Sequence, residues 1–177
     1  MKISVIGYSG SGKSTLAEYL GERFHAKVLH LDCVHWLPGW VENRWEDEKV
    51  IVDDFLDTHS SWVIDGNYSK SSFKRRMEES DRIVFLDFDR AACLYRAVKR
   101  FVKYRGKSRN SMTEGCAEKI DLEFIWWILY KGRTKKRTSK YREVLHTYSR
   151  KTVVIRNQRQ LTAYMRNAGQ SVGQDGD

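Results

Sequence analysis

Residues 7–14 read Gly7-Tyr8-Ser9-Gly10-Ser11-Gly12-Lys13-Ser14, a full match to the pattern G-x-x-x-x-G-K-[ST]. With glycine at about 7% of average usage, chance produces such a string in on the order of one chain in a hundred of this length. The flanks therefore decide. Before the string, Lys2-Ile3-Ser4-Val5-Ile6 reads as a short buried strand; after it, Leu16, Leu20 and Phe24 recur every four residues, one face of a helix. Strand, glycine loop and helix in that order require a βα unit whose turn opens toward a ligand. The competing reading is a glycine-rich turn that merely starts a helix.

Each residue type in the loop has a physical reason. Gly7, Gly10 and Gly12 allow positive φ and let successive N–H groups point inward with no Cβ in the way. The helix that follows adds the partial positive charge of its N-terminus. In that setting Lys13 reaches the β- and γ-phosphates of a nucleoside triphosphate, the Ser14 hydroxyl ligates Mg²⁺, and Thr15 touches the α-phosphate. Ser9 and Ser11 complete the cradle.

Further apolar runs at 27–31, 62–65, 82–87 and 152–156 are short and lack the alternation of a half-exposed antiparallel sheet. Helical patterns over 13–24, 43–59, 71–79, 91–104 and 157–167 supply the crossovers that parallel pairing needs. The expectation is an α/β fold with a five-stranded parallel sheet between helical layers. Between residues 105 and 150 there is no strand signal, only two helical stretches over 117–130 and 135–148. That region is expected to be a helical insertion placed as a lid. One domain over residues 1–168 fits the length of 177 residues, and the polar, glycine-rich 169–177 reads as a disordered tail.

The net charge of +9 is uneven. From Arg90 to Arg142 there are sixteen basic residues against four acidic ones, so an anionic partner belongs there, either nucleic acid or the phosphates of a bound nucleotide. A solvated charged face is the other reading. The longest apolar run, residues 124–130, is too short to span a bilayer. Cys33, Cys93 and Cys116 are odd in number and form no C-x-x-C pair, which points to a reducing compartment and a cytoplasmic protein. His30, Asp32, Cys33 and His35 lack the spacing of a tetrahedral metal site.

In open parallel sheets, ligands gather beyond the carboxyl ends of the strands. Asp32, Asp65 and Asp87 each fall at or just after such an end. Asp65 is expected to support Mg²⁺ indirectly, behind the groups that touch the ion, and Asp32 to meet an acceptor hydroxyl or its proton. Capping or turn roles remain open for each. Arg96 and Arg100 lie four apart on one helix and project from one face, as Arg133 and Arg137 are expected to do. Such pairs fork onto phosphate oxygens, the first as catalytic groups and the second on the nucleotide. Arg75 and Arg76 follow the third candidate strand and can hold the acceptor side.

The early phosphate loop, Ile64-Asp65-Gly66-Asn67-Tyr68 after the third strand and the basic insertion before the last strand resemble the adenylate-kinase-like group of P-loop kinases. Nearly the whole chain, through Leu94-Tyr95-Arg96, Tyr104-Arg105-Gly106-Lys107, Asp121-Leu122-Glu123-Phe124 and Val153-Val154-Ile155-Arg156-Asn157, is similar to small bacterial P-loop proteins called DNA topology modulation proteins. The resemblance implies the P-loop NTPase three-layer fold with strand order 2-3-1-4-5, ATP with Mg²⁺, and a lid. One departure stands out. In adenylate kinases the Asp-Gly is followed by Phe-Pro-Arg, whose arginine helps bind the monophosphate, whereas here Asn67 and Tyr68 follow.

The function expected from all this is a phosphotransferase that moves the γ-phosphoryl group of ATP to a small acceptor such as a nucleotide or nucleoside. The alternative is a nucleotide-gated DNA- or RNA-binding regulator that uses the same loop as a switch.

Overall fold

The computed structural model describes residues 1–104, 111–117 and 119–168. In chain order the elements are β1 (Lys2–Gly7), α1 (Lys13–Phe24), β2 (Lys27–His30), α2 (Leu31–His35), β3 (Trp36–Leu37), β4 (Val41–Glu42), α3 (Trp45–Thr58), β5 (Trp62–Asp65), α4 (Phe73–Glu79) and β6 (Arg82–Leu86). There follow α5 (Arg90–Tyr104), α6 (Leu122–Leu129), a 3-10 turn (Lys131–Arg133), α7 (Lys135–Thr147), a second 3-10 turn (Ser149–Lys151), β7 (Thr152–Ile155) and α8 (Gln158–Ala168).

Five strands form one parallel sheet in the order β2-β5-β1-β6-β7. Counting these five alone, that is the expected 2-3-1-4-5. Their side chains divide by the two-residue period of a strand. Ile3 and Val5 of β1, Val63 of β5 and Val84 and Leu86 of β6 pack with Leu16 and Leu20 of α1, Cys93 and Ala97 of α5 and Leu161 of α8. On the opposite face, Trp62 and Ile64 meet Val52 and Leu56 of α3, while Ile6, Ile83 and Phe85 meet Met77 of α4 and Val144 of α7. Burying each of these large apolar side chains contributes about 1.5–3 kcal/mol, so both helical layers are firmly held. Asp65, two residues beyond Val63, therefore falls on the α1 face.

Several boundaries differ from the sequence expectation, each for a local reason. Leu31, expected to end the second strand, opens α2, because the pairing of β2 with β5 stops at His30 and Asp65. The loop after it is an antiparallel hairpin, with Trp36 opposite Glu42 and Leu37 opposite Val41, turned through Gly39 and Trp40 at positive φ. The helix expected over 117–130 starts only at Leu122, where the Asp121 carboxylate accepts from Phe124 N at 2.7 Å and caps it. Within the expected lid region, α7 packs on the sheet: Tyr141 stacks on Phe85 at 4.6 Å and Val144 is buried. Arg105, Gly106, Lys107 and Arg109 of that region, and the expected disordered tail 169–177, lie outside the described residues.

Candidate active site

The glycine loop leaves β1 at Gly7 and hands over to α1 through Gly12, whose φ of 94° is in the left-handed region. Gly10 is required for a second reason. A Cβ built there would stand 2.4 Å from the carbonyl oxygen of Cys93 on α5. The N-cap of α1 makes no side-chain hydrogen bond and its first turn holds no acidic residue, so the positive end of the helix is left for an anion.

The loop is braced from several sides. Asn67 donates to the Gly7 carbonyl at 2.6 Å and accepts from Gly7 N at 3.1 Å, and the Tyr141 hydroxyl donates to the same carbonyl at 3.3 Å. Arg96 donates to Ser11 O at 2.6 Å and to Gln158, with its guanidinium 4.1 Å from the Phe88 ring. Arg133 lies 3.6 Å over the Tyr8 ring and donates to Phe88 O at 2.6 Å. Trp127 Nε1 donates to Ser9 Oγ at 3.1 Å. The hydroxyl of Ser11 is buried with no hydrogen-bond partner among the described residues.

Lys13 folds over the loop and donates to Tyr8 O at 3.1 Å. Burial pushes its ammonium below the usual lysine range, while the Asp32 and Asp65 carboxylates pull the other way and Arg100 adds to the depression. Ser14 Oγ donates to Asp65 Oδ2 at 2.9 Å. The other Asp65 oxygen lies 2.5 Å from His30 Nδ1. Burial lowers the His30 pKa, but the hydrogen bond and charge of Asp65 outweigh it and leave the imidazole above its ordinary value. Asp32, in α2, accepts from the Tyr68 hydroxyl at 2.7 Å. Burial, together with that carboxylate, pushes the Tyr68 phenol far up. Thr15 is exposed on the first turn of α1.

The loop residues, Asp65 and Asp32 thus converge at one end of the sheet, and Asp32, Asp65 and Arg100 are all close enough to Lys13 to act on it electrostatically. Asp87 is turned to another task, 3.7 Å from Arg156, with burial raising its carboxyl above the usual range. Arg133 and Arg137 do not share a helix face: Arg133 belongs to the 3-10 turn, and Thr134 caps α7 between them, so Arg137 sits instead 4.3 Å from the Trp127 ring. Arg75 and Arg76 are both engaged by the protein's own groups. Arg75 is held by Asp53, Asp57 and Glu79. Arg76 is wholly buried, donating to the carbonyls of Ser71, Gly66 and Tyr68, and burial lowers its pKa to about 9.

His30 joins this site through Asp65 and Asn67 joins it as a brace of the loop, neither of which the sequence reading assigned to them. The register could have found His30, since strand order 2-3-1-4-5 sets the ends of the second and third strands side by side. His35 is engaged elsewhere: its Nδ1 lies 2.6 Å from Oε1 of the buried Glu48, whose second oxygen accepts from Ser71. Among the described residues, no group of three or more His, Cys, Asp or Glu is placed to hold a metal ion, and no helix is long and apolar enough to cross a membrane.

Neither a family model nor a curated protein matches the chain. Solved structures do. A shikimate kinase from Bacteroides thetaiotaomicron is 17% identical with a TM-score of 0.53, over 97% of this chain and 98% of that one. A gluconokinase from Sinorhizobium meliloti 1021 is 18% identical with a TM-score of 0.50, over 97% and 94%. These likenesses concern the fold and leave the resemblance to DNA topology modulation proteins unaddressed. The α/β fold, a parallel five-stranded sheet between helices, is the fold of these kinase structures.

Proposed function

We propose that the chain is a Mg²⁺-dependent phosphotransferase that carries the γ-phosphoryl group of ATP to a hydroxyl of a small acceptor, with nucleotides and nucleosides the first to test. The observation that carries this reading is the uncapped N-terminus of α1 under the glycine loop, with Lys13 resting on the loop and Ser14 tied to Asp65. Lys13 exchanges the Tyr8 carbonyl for β- and γ-phosphate oxygens, and the loop N–H groups of Ser9 to Ser14 hold the rest. Thr15 meets the α-phosphate. Arg96 keeps the loop in shape through Ser11, Arg100 supplies charge near the transferring group, and Arg133 and Arg137 flank the nucleotide side.

Ser14 and Asp65 suit Mg²⁺, because both offer hard oxygen atoms and this ion takes one or two protein oxygens, with phosphates and water filling the octahedron. When bound, it neutralises charge on the phosphates. Asp32, oriented by the Tyr68 phenol, receives the acceptor hydroxyl and takes its proton at a carboxylate oxygen. α6 and the Lys131–Arg133 turn, which touch Ser9 and Tyr8, form the lid that excludes water, while α7 stays with the sheet.

The test is a thermal-shift screen of ATP, GTP and candidate acceptors with Mg²⁺, followed by ADP production with each hit. Acceptor-stimulated ADP formation supports the reading. Steeply salt-dependent DNA affinity, with no acceptor-stimulated turnover, transfers the chain to the nucleotide-gated DNA- or RNA-binding alternative, whose warrant is the basic tract from Arg90 to Arg142.

A further inference from the structure

We infer that His30 is a positioning residue that fixes the Asp65 carboxylate toward the metal, an assignment that rests on the phosphotransferase reading above. His30 and Asp65 are register partners at the ends of the adjacent parallel strands β2 and β5. His30 Nδ1 holds Asp65 Oδ1 at 2.5 Å while Ser14 Oγ holds Oδ2 at 2.9 Å. Each carboxylate oxygen thus has its own partner, and rotation of the group breaks both contacts. Because an ionised carboxylate only accepts, Nδ1 carries the hydrogen.

On the other side of the ring, Nε2 lies 3.8 Å from Glu18 Oε1, an ion-pair contact when the imidazole is protonated. Ser14 and Glu18 are four residues apart on α1, so one helix face supplies both ends of the series Ser14, Asp65, His30, Glu18. The His30 and Asp65 side chains are only 12% and 5% exposed, which leaves water little room to take over either contact. Mg²⁺ demands near-ideal octahedral geometry, so the direction in which Asp65 presents its oxygen matters more than the mere presence of charge. Partners that orient a ligand in this way typically change metal affinity by 10–100-fold when removed.

The experiment is calorimetric titration of a nonhydrolysable ATP analogue, with and without Mg²⁺, into wild type, His30→Ala and His30→Asn. In His30→Ala the gain in analogue affinity conferred by Mg²⁺ is expected to fall by about 10-fold or more, while metal-free affinity stays within about twofold. His30→Asn, whose amide N–H reaches the place of Nδ1–H, is expected to recover most of the gain. If His30→Ala does not fold, His30→Phe keeps the ring volume without the donor and carries the same expectation. An undiminished Mg²⁺ gain in the donor-free variant, or an equal loss with and without Mg²⁺, overturns the assignment and leaves His30 a strand-packing residue. A wild type that binds no analogue at all overturns the phosphotransferase reading and this inference together; that result is read on wild type alone.

Discussion

Ser14 Oγ donates to Asp65 Oδ2 at 2.9 Å, joining the first turn of α1 to the last residue of β5. The contact exists because Asp65 continues the inward-facing series of Val63 onto the face that α1 covers. A hydroxyl just after the loop lysine and a carboxylate 51 residues later thereby form one oxygen-lined corner beside the phosphate loop.

Replacing Lys13 by Ala tests the loop itself. Among the described residues the Lys13 amine meets only the Tyr8 carbonyl within hydrogen-bonding distance, so the fold should survive. ATP-dependent turnover is expected to drop by about 100-fold or more, the scale seen when a donor to developing charge is removed. Circular dichroism and steady-state ADP release check the two halves. Unchanged turnover refutes the role of Lys13.

Asp65→Asn keeps the shape of the side chain and removes its charge. At fixed Mg²⁺, turnover should fall far more than metal-free nucleotide affinity does. Paired kinetic and binding titrations measure the split. Lost stability with normal turnover makes Asp65 a strand-end residue only.

Arg76→Met separates architecture from chemistry. It strips partners from the carbonyls of Ser71, Gly66 and Tyr68 in a fully buried position. A loss of roughly 2–4 kcal/mol in urea unfolding is expected, with nucleotide affinity of the folded protein retained. A neutral effect on stability refutes the clamp.

The cluster around Arg75 should show in acid. Hydrogen bonding to Lys2, together with Arg75, lowers the Glu79 pKa, and Asp53 is lowered by Lys49, Ser72 and Arg75 against the effect of its own burial. Groups with depressed folded-state pKa values contribute stability above their unfolded values, about 4, and lose it as pH falls through the folded ones. The stability deficit of Arg75→Met relative to wild type should therefore be present at pH 7 and shrink below about pH 4. Denaturant midpoints across pH give the answer, and a deficit that does not change with pH contradicts it.

Strands and main helices were legible because each rests on an apolar run or a repeat that one segment carries alone, whereas the strand order came from the resemblance to P-loop kinases. The corner of Lys13, Ser14 and Asp65 was legible too, since motif and strand end are both local signals. What stayed hidden was set by distant partners. Arg75 and Arg76 look alike in sequence, yet one lies among carboxylates and the other in a buried knot of carbonyls. The turn at Lys131–Arg133 parts two arginines that a continuous helix would have aligned. The hairpin at Trp36–Leu37 and Val41–Glu42 is too short for periodicity to register, and it is tied down by the Thr113 hydroxyl, which donates to Trp36 O.

β2 is an edge strand, paired on one side only, and it ends in His30. Edge strands open more readily than central ones, at free energies below that of global unfolding. The contact between His30 and Asp65 thus lies on an edge seam of the sheet, while β1, β5 and β6 form its middle. Under the proposed function, warming should therefore disarm the protein before it melts: Mg²⁺-dependent nucleotide binding is expected to weaken while the far-ultraviolet spectrum still reads as native.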